Sequence, residues 1–189
     1  MKISIVGGGS WGTAICYLIS KKYEPNFYIR DKEVCETLMK TGENKKYLPN
    51  TIIKNAKFTN SLEDIADSDL IVLATPSSAI KDTLSKVVKF LKKDTIIASL
   101  AKGFEEETHK RLSEIAKEYT NNPFVVISGP SHAEEVGKDI PTAIVASSMN
   151  REAMKRAQEV FSSPVFRVYT NPDLIGVETG GALKNIIAL

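Results

Sequence analysis

Lys2-Ile3-Ser4-Ile5-Val6-Gly7-Gly8-Gly9-Ser10-Trp11-Gly12-Thr13-Ala14-Ile15 is the stretch on which the fold turns. Residues 2–6 form a short β-rich run, and Ala14, Ile15, Leu18 and Ile19 recur at helical spacing after the glycines. Between them, Gly7, Gly9 and Gly12 fit G-x-G-x-x-G. Alone that pattern is weak; it becomes specific because it follows a strand directly and opens an amphipathic helix. Gly7 permits the tight turn, Gly9 lets backbone approach a pyrophosphate on the helix N-terminus, and Gly12 lets helix pack closely on strand. The competing reading is a glycine-rich turn without a ligand.

Outward from this stretch, short β-rich runs alternate with helical patterns. The spacing predicts strands at Lys2–Val6, Phe27–Arg30, Leu70–Ala74, Thr95–Leu100, Phe124–Ser128, Thr142–Ser147 and Val165–Tyr169. Most are continuous apolar runs, as parallel strands covered on both faces require. Helices are expected at Ser78–Leu91, Thr108–Tyr119 and Arg151–Phe161, where apolar residues recur at helical spacing. The alternation specifies an α/β protein with a doubly wound, mostly parallel Rossmann-type sheet. Thr41–Ala56 lacks clear periodicity and reads as a loop or irregular insertion.

After the last strand, Asn171-Pro172-Asp173 suits a helix start. The helix that follows carries Leu174, Ile175, Val177, Leu183, Ile186 and Ile187, apolar almost all round apart from Glu178, Lys184 and Asn185. Such a helix wants burial on several sides. Two units are therefore expected: residues 1–171 as the dinucleotide-binding domain, and residues 172–189 as the first helix of a missing second helical domain.

Composition bounds the function. Hydrophobic residues make up 42% and charged residues 25% of the 189, an ordinary globular balance. With 25 Lys and Arg against 23 acidic residues, the net charge of +2 excludes a strongly basic nucleic-acid scaffold. No apolar run approaches the ~18–20 residues that cross a bilayer, and the first residues do not read as a signal peptide. Cys16 and Cys35 offer neither a disulfide framework nor zinc spacing. The expectation is a cytoplasmic protein with no metal site, no nucleic-acid partner and no membrane partner.

Four further places carry chemistry. Arg30 stands 18 residues after Gly12, where a ribose-binding acid usually stands, with Asp31 beside it. Arginine there favours a 2′-phosphate and hence NADP; Asp31 leaves NAD open, and could equally cap the next helix. Lys102 in Ala101-Lys102-Gly103 follows a strand, so it faces cofactor or substrate unless it is an exposed loop lysine. In Ser128-Gly129-Pro130-Ser131-His132-Ala133-Glu134, Ser131 and Glu134 spell a capping box. The functional reading brings Gly129 backbone near a ligand and lets N–H groups around Ser131 hold an anion, with His132 a weaker acid–base candidate. Lastly, Gly180-Gly181-Ala182-Leu183-Lys184-Asn185 places two glycines and a lysine in an apolar helix. Each glycine costs about 1 kcal/mol relative to alanine, which a helix accepts where something packs on its backbone. A working Lys184 needs a pKa drawn towards neutrality, by burial or by a neighbouring cation such as Lys102.

These residues together resemble the bacterial type of NAD(P)-dependent glycerol-3-phosphate dehydrogenase. The likeness rests on GGGSWGTA (7–14), NKKYLPN (44–50), ATPSSAI (74–80), AKG (101–103), SGPSHAEEVG (128–137), PTA (141–143), FRVYTNPDLIGVE (166–178) and GGALKNIIAL (180–189). It implies reduction of dihydroxyacetone phosphate to sn-glycerol 3-phosphate for glycerophospholipid synthesis. It implies cofactor contacts at Ser10, Trp11, Arg30, Lys102 and Ala133, substrate contacts at Lys102, Gly129 and Ser131, and Lys184 as proton donor and acceptor. It also implies that Tyr47 closes over the cofactor, and it leaves open a homodimer through the missing domain. Phe104 and Tyr28 depart from many relatives without touching the chemistry. The acidic residue and the Ser-Arg-Asn segment of the family's C-terminal half do not occur in residues 1–189, so half of the substrate site is expected here.

Three other classes compete. A dehydrogenase of another small hydroxy acid shares the glycine turn but is not expected to read SGPSHAEEVG. A methyltransferase using S-adenosylmethionine more often carries an acid where Arg30 stands, and needs no Lys184. A non-catalytic nucleotide sensor needs only the glycine turn.

Overall fold

A computed structural model describes residues 1–187; Ala188, Leu189 and the side chains of Asn185, Ile186 and Ile187 lie outside what is described. The first elements are β1 (Ile3–Val6), α1 (Ser10–Ser20), β2 (Asn26–Tyr28) and α2 (Lys32–Thr41), then β3 (Glu43–Asn44), β4 (Leu48–Ile52) and β5 (Lys57–Thr59). Next come β6 (Leu70–Leu73), α3 (Ile80–Val87), β7 (Ile96–Ser99), α4 (Leu112–Tyr119) and β8 (Phe124–Ser128). The chain continues through α5 (Ala133–Gly137), β9 (Thr142–Ser147), α6 (Arg151–Phe161), β10 (Phe166–Asn171) and α7 (Leu174–Ile187).

Eight strands make one sheet in the order β10-β9-β8-β7-β6-β1-β2-β5. All neighbours are parallel except β8 and β9, which pair antiparallel through Val126–Ser128 and Val145–Ser147. The mostly parallel, doubly wound sheet is thus as the apolar runs require. Every residue of β1, β6 and β7 is buried, because helices cover both faces. Ile5 and Val72 pack with Ile15 of α1 and Phe161 of α6 on one face, while Val6, Ile71 and Leu73 pack with Leu84 of α3 and Ile115 of α4 on the other. The strand order reverses between β1 and β6, so their carboxyl ends open a crevice at the switch point.

Three expectations need correction. Residues 41–56 are no irregular loop: β3 and β4 form an antiparallel hairpin, whose Leu48 and Thr51 are buried while Pro49, Asn50 and Ile52 are exposed. With polar residues at buried places, the hairpin gives no readable apolar period. The short edge strand β5 escaped notice for a similar reason, since only Thr59 of its three residues is buried. The fourth helix starts at Leu112, not Thr108, because Glu105 binds the Thr108 hydroxyl and N–H in a loop closed by a Phe104–Arg111 bridge. Helix α7 begins as expected, with Asp173 accepting the Gly176 N–H at 2.9 Å.

Candidate active site

The glycine turn joins β1 to α1. Gly7 has φ +122°, and a Cβ there would stand 2.6 Å from the Ala74 carbonyl oxygen. A Cβ on Gly12 would fall inside the Gly7 carbonyl. Both positions therefore admit no side chain. Around the would-be Cβ of Gly9 no described atom lies within 4 Å, so the turn is open where a ligand could approach. Among the described residues no side chain caps α1, and its first turn holds no acid, which leaves the N–H groups of Ser10, Trp11 and Gly12 for an anion. The chemistry of this cradle fits the pyrophosphate of a dinucleotide.

Beside the turn lies a crevice of about 310 Å³, lined among others by Gly7, Gly9, Arg30, Asp31, Tyr47 and Ala74. Arg30 is exposed at its mouth. Asp31 proves to be the cap of α2: Oδ1 accepts the N–H groups of Glu33 and Val34 at 3.1 and 3.2 Å. Its Oδ2 accepts from Lys46 Nζ at 2.9 Å. The hydrogen bond from Lys46, then that from the Val34 N–H, holds the Asp31 carboxyl below its usual range. Both oxygens are thus engaged within the chain, while Arg30 faces the crevice.

A second cluster forms further along the carboxyl edge of the sheet. Lys102, just after β7, is half-buried and donates from Nζ to the Gly129 carbonyl at 2.9 Å. The buried Ser131 hydroxyl donates to the same oxygen at 3.4 Å. Burial, and next the charge of Lys184, push the Lys102 ammonium down to about 8. Lys184 thus stands close enough for its charge to act on Lys102, the two lysines that the sequence reading set beside each other.

Helix α7 carries Lys184 to this place. A Cβ on Gly181 would stand 2.6 Å from the Ser128 hydroxyl, so this glycine lets the helix lie against the end of β8. Gly180 meets no described atom within 4 Å, so close packing accounts for only one glycine of the pair. Three residues earlier, the buried Glu178 accepts the Ser113 N–H at 2.8 Å, the Ser113 hydroxyl at 2.6 Å and an Arg111 guanidinium N–H at 3.2 Å. It caps α4 from a different element.

Of the expected cofactor residues the structure places Gly7, Gly9 and Arg30 in the lining of the crevice, and Ser10, Trp11 and Gly12 in the first turn of α1 beside it, outside that lining; Lys102, Gly129, Ser131 and Lys184 gather in the second cluster. Ala133 is buried at the start of α5, which packs on α1. The expected capping box does not form: His132 is the residue before α5, no side chain among the described residues caps the helix, and Ser131 turns to Gly129 instead. A serine one residue early cannot reach the helix N–H groups. Sequence reasoning passed over Asn44, Thr13, Glu178 and Ser113. Only the polar position of Glu178 within an apolar helix could have flagged one of them.

A doubly wound sheet with an open glycine turn at its switch point defines a Rossmann-type domain. Residues 2–154 match the family described as NAD-dependent glycerol-3-phosphate dehydrogenase N-terminus, and the chain belongs to that family. It is 49% identical over 191 residues to a glycerol-3-phosphate dehydrogenase [NAD(P)+] of Clostridium acetobutylicum, covering 99% of this chain and 58% of that relative. The crystal structure of glycerol-3-phosphate dehydrogenase from Coxiella burnetii superposes with a TM-score of 0.93 at 32% identity, over 99% of this chain and 58% of that one. A Plasmodium falciparum glycerol-3-phosphate dehydrogenase gives 0.92 at 27% identity, over 99% and 57%. The chain thus spans somewhat over half the length of these relatives.

Proposed function

We propose that this chain supplies the cofactor half, and part of the substrate site, of an oxidoreductase converting dihydroxyacetone phosphate to sn-glycerol 3-phosphate. The observation that carries the reading is the pairing of Lys102 and Lys184 on the same sheet edge as the open glycine turn. Residues 1–171 form the dinucleotide-binding domain, and residues 172–189 open a helical substrate domain. The exposed apolar side chains of Ile175 and Leu183 support that division.

Gly7, Gly9, Ser10, Trp11 and Gly12 hold the pyrophosphate, Arg30 the ribose end, and Lys102 and Ala133 the nicotinamide end. When bound, the reduced nicotinamide supplies a hydride to the substrate carbonyl carbon. Two adjacent ammonium groups repel each other, and an anion between them relieves the repulsion. A ketone bearing a phosphate dianion suits such a place. Lys102, Gly129 and Ser131 orient it. Lys184 polarises the carbonyl and gives its proton to the developing alkoxide; in reverse, neutral Lys184 takes the hydroxyl proton.

NADPH is the preferred cofactor. Arg30 can meet a 2′-phosphate, while both oxygens of Asp31 are occupied by the α2 cap and Lys46 and so do not accept ribose hydroxyls. The test is fluorescence titration of the chain with NADPH and NADH, with S-adenosylmethionine as control. Turnover of dihydroxyacetone phosphate is then followed in a chain extended to the length of its relatives. Binding of S-adenosylmethionine but of neither dinucleotide would overturn the reading.

A further inference from the structure

Three successive glycines make the Gly7–Gly9 turn prone to peptide flips, because glycine tolerates φ of either sign. A flip that aimed a carbonyl at a phosphate would replace an attractive dipole with a repulsive one. The turn therefore binds an anion well only if its carbonyls are held elsewhere. Two of them are. The Gly9 carbonyl accepts the Thr13 N–H at 3.0 Å and the Thr13 hydroxyl at 2.8 Å. The Gly8 carbonyl accepts from the Asn44 amide at 3.0 Å, and the same amide donates to the Thr13 hydroxyl at 2.7 Å.

Asn44 belongs to β3 of the hairpin, is 1% exposed, and lies beside a fully buried Thr13. Its orientation follows from its partners: the nitrogen faces the Gly8 carbonyl and the Thr13 hydroxyl, and Oδ1 accepts the Tyr47 N–H at 3.3 Å. One buried side chain thus ties the hairpin, the glycine turn and the first turn of α1 into a single network. Buried amide–hydroxyl chains of this kind strengthen one another and fix one arrangement.

We propose that Asn44, acting through Thr13, is the positioning residue that locks the glycine turn with its N–H groups outward, and so sets affinity for the pyrophosphate. The inference rests on the reading that the crevice takes a nicotinamide dinucleotide. Asn44 holds the turn from behind, so its loss affects ligands that carry a pyrophosphate and spares those that bind only at Arg30.

The experiment compares Asn44→Ala, Thr13→Val and Thr13→Ser with the unmodified chain, using NADPH and adenosine 2′-monophosphate as probes in calorimetric titrations. Asn44→Ala and Thr13→Val should weaken NADPH about tenfold, the worth of one such hydrogen bond, and leave adenosine 2′-monophosphate within about twofold. Thr13→Ser keeps the hydroxyl and should bind both probes as the unmodified chain does. Amide hydrogen exchange without ligand should quicken at residues 8–11 in the first two variants and stay unchanged in β6 and β7. This second readout decides where the smaller probe binds too weakly to titrate. Should Asn44→Ala not fold, the two Thr13 variants decide between them. Equal weakening of both probes, or unchanged NADPH affinity and exchange, would overturn the proposal. Failure of the unmodified chain to bind NADPH at all would instead overturn the cofactor reading, and this inference with it.

Discussion

Replacing Glu178 with alanine tests how α7 is held to the sheet. The Ser113 N–H belongs to the first turn of α4, where no intrahelical carbonyl can accept it. Glu178 supplies that acceptor, binds the Ser113 hydroxyl as well, and places a negative charge at the positive end of the helix. Alanine leaves both buried donors unpaired, at about 1–3 kcal/mol each. Arg111 loses less, because its side chain is 22% exposed and keeps Glu114 at 2.8 Å. Two donors near the middle of that range sum to about 3–4 kcal/mol, in line with the ~3–5 kcal/mol typical of breaking a buried ion pair. At ~2–4 °C per kcal/mol for a chain of this size, the melting temperature should fall by roughly 6–16 °C.

Urea unfolding followed by circular dichroism gives the free energy, and a double-mutant cycle with Ser113→Ala isolates the pair. A coupling of about 1–2 kcal/mol is expected. Glu178→Gln retains an acceptor for the Ser113 N–H and should cost about half as much as alanine. If Glu178→Ala loses under ~1 kcal/mol, or if the cycle shows no coupling, the carboxylate does not cap α4 in solution and the anchoring argument fails.

Four other outcomes follow from named groups. Arg30→Ala should narrow the NADPH-over-NADH preference by roughly tenfold to a hundredfold, the worth of a charge-assisted bond to phosphate, and parallel titrations measure it. Lys184→Ala, in a chain of the relatives' length, should lower kcat by ~10²–10⁴ with NADPH affinity nearly unchanged, and Lys184→Arg should not restore oxidation of glycerol 3-phosphate. Lys102 titrates near 8 when folded against 10.5 ordinarily, so between those values the unfolded chain holds a proton that the folded chain has released, and stability rises with pH. Lys102→Met should accordingly melt higher than the unmodified chain below pH 8 and lose that advantage by about pH 10.5; a pH-independent difference refutes this. Gly180→Ala should be neutral or stabilising by up to ~1 kcal/mol, whereas Gly181→Ala, meeting the Ser128 hydroxyl, should destabilise, and thermal melts of the two variants decide.

What could be read from the chain beforehand follows the distance over which each signal acts. Ile3–Val6, Leu70–Leu73 and Ile96–Ser99 announce themselves because a strand buried on both faces must be almost wholly apolar, and Gly12 because its neighbour Gly7 is only five residues away. The hairpin at 43–52 was hidden because polar Asn44 and Thr51 fill its buried places, Asn44 being satisfied by Gly8 and Thr13, far off in sequence. Ser131 misled for the opposite reason: its local spacing matched a cap, but the Gly129 carbonyl took its hydroxyl. The Lys102–Lys184 pairing was foreseen as a pairing. The lowering of Lys102 rests first on burial, which no local spacing announces.

The packing of α7 has a simple geometry. Glu178, Gly181 and Lys184 are spaced by three residues, so on a helix of 3.6 residues per turn they fall along a strip turning ~60° per step and rising ~4.5 Å. The first is fixed to α4 by its carboxylate, and the second to the end of β8 by having no side chain. Two fixed points on one face leave the helix neither rotation nor sliding, and the third residue then has one place to be. Lys184 is delivered next to Lys102 by bonds it does not itself make. A lysine on a long flexible stem gains its precision from the helix beneath it, and this accounts for a buried carboxylate in a segment that is mostly apolar.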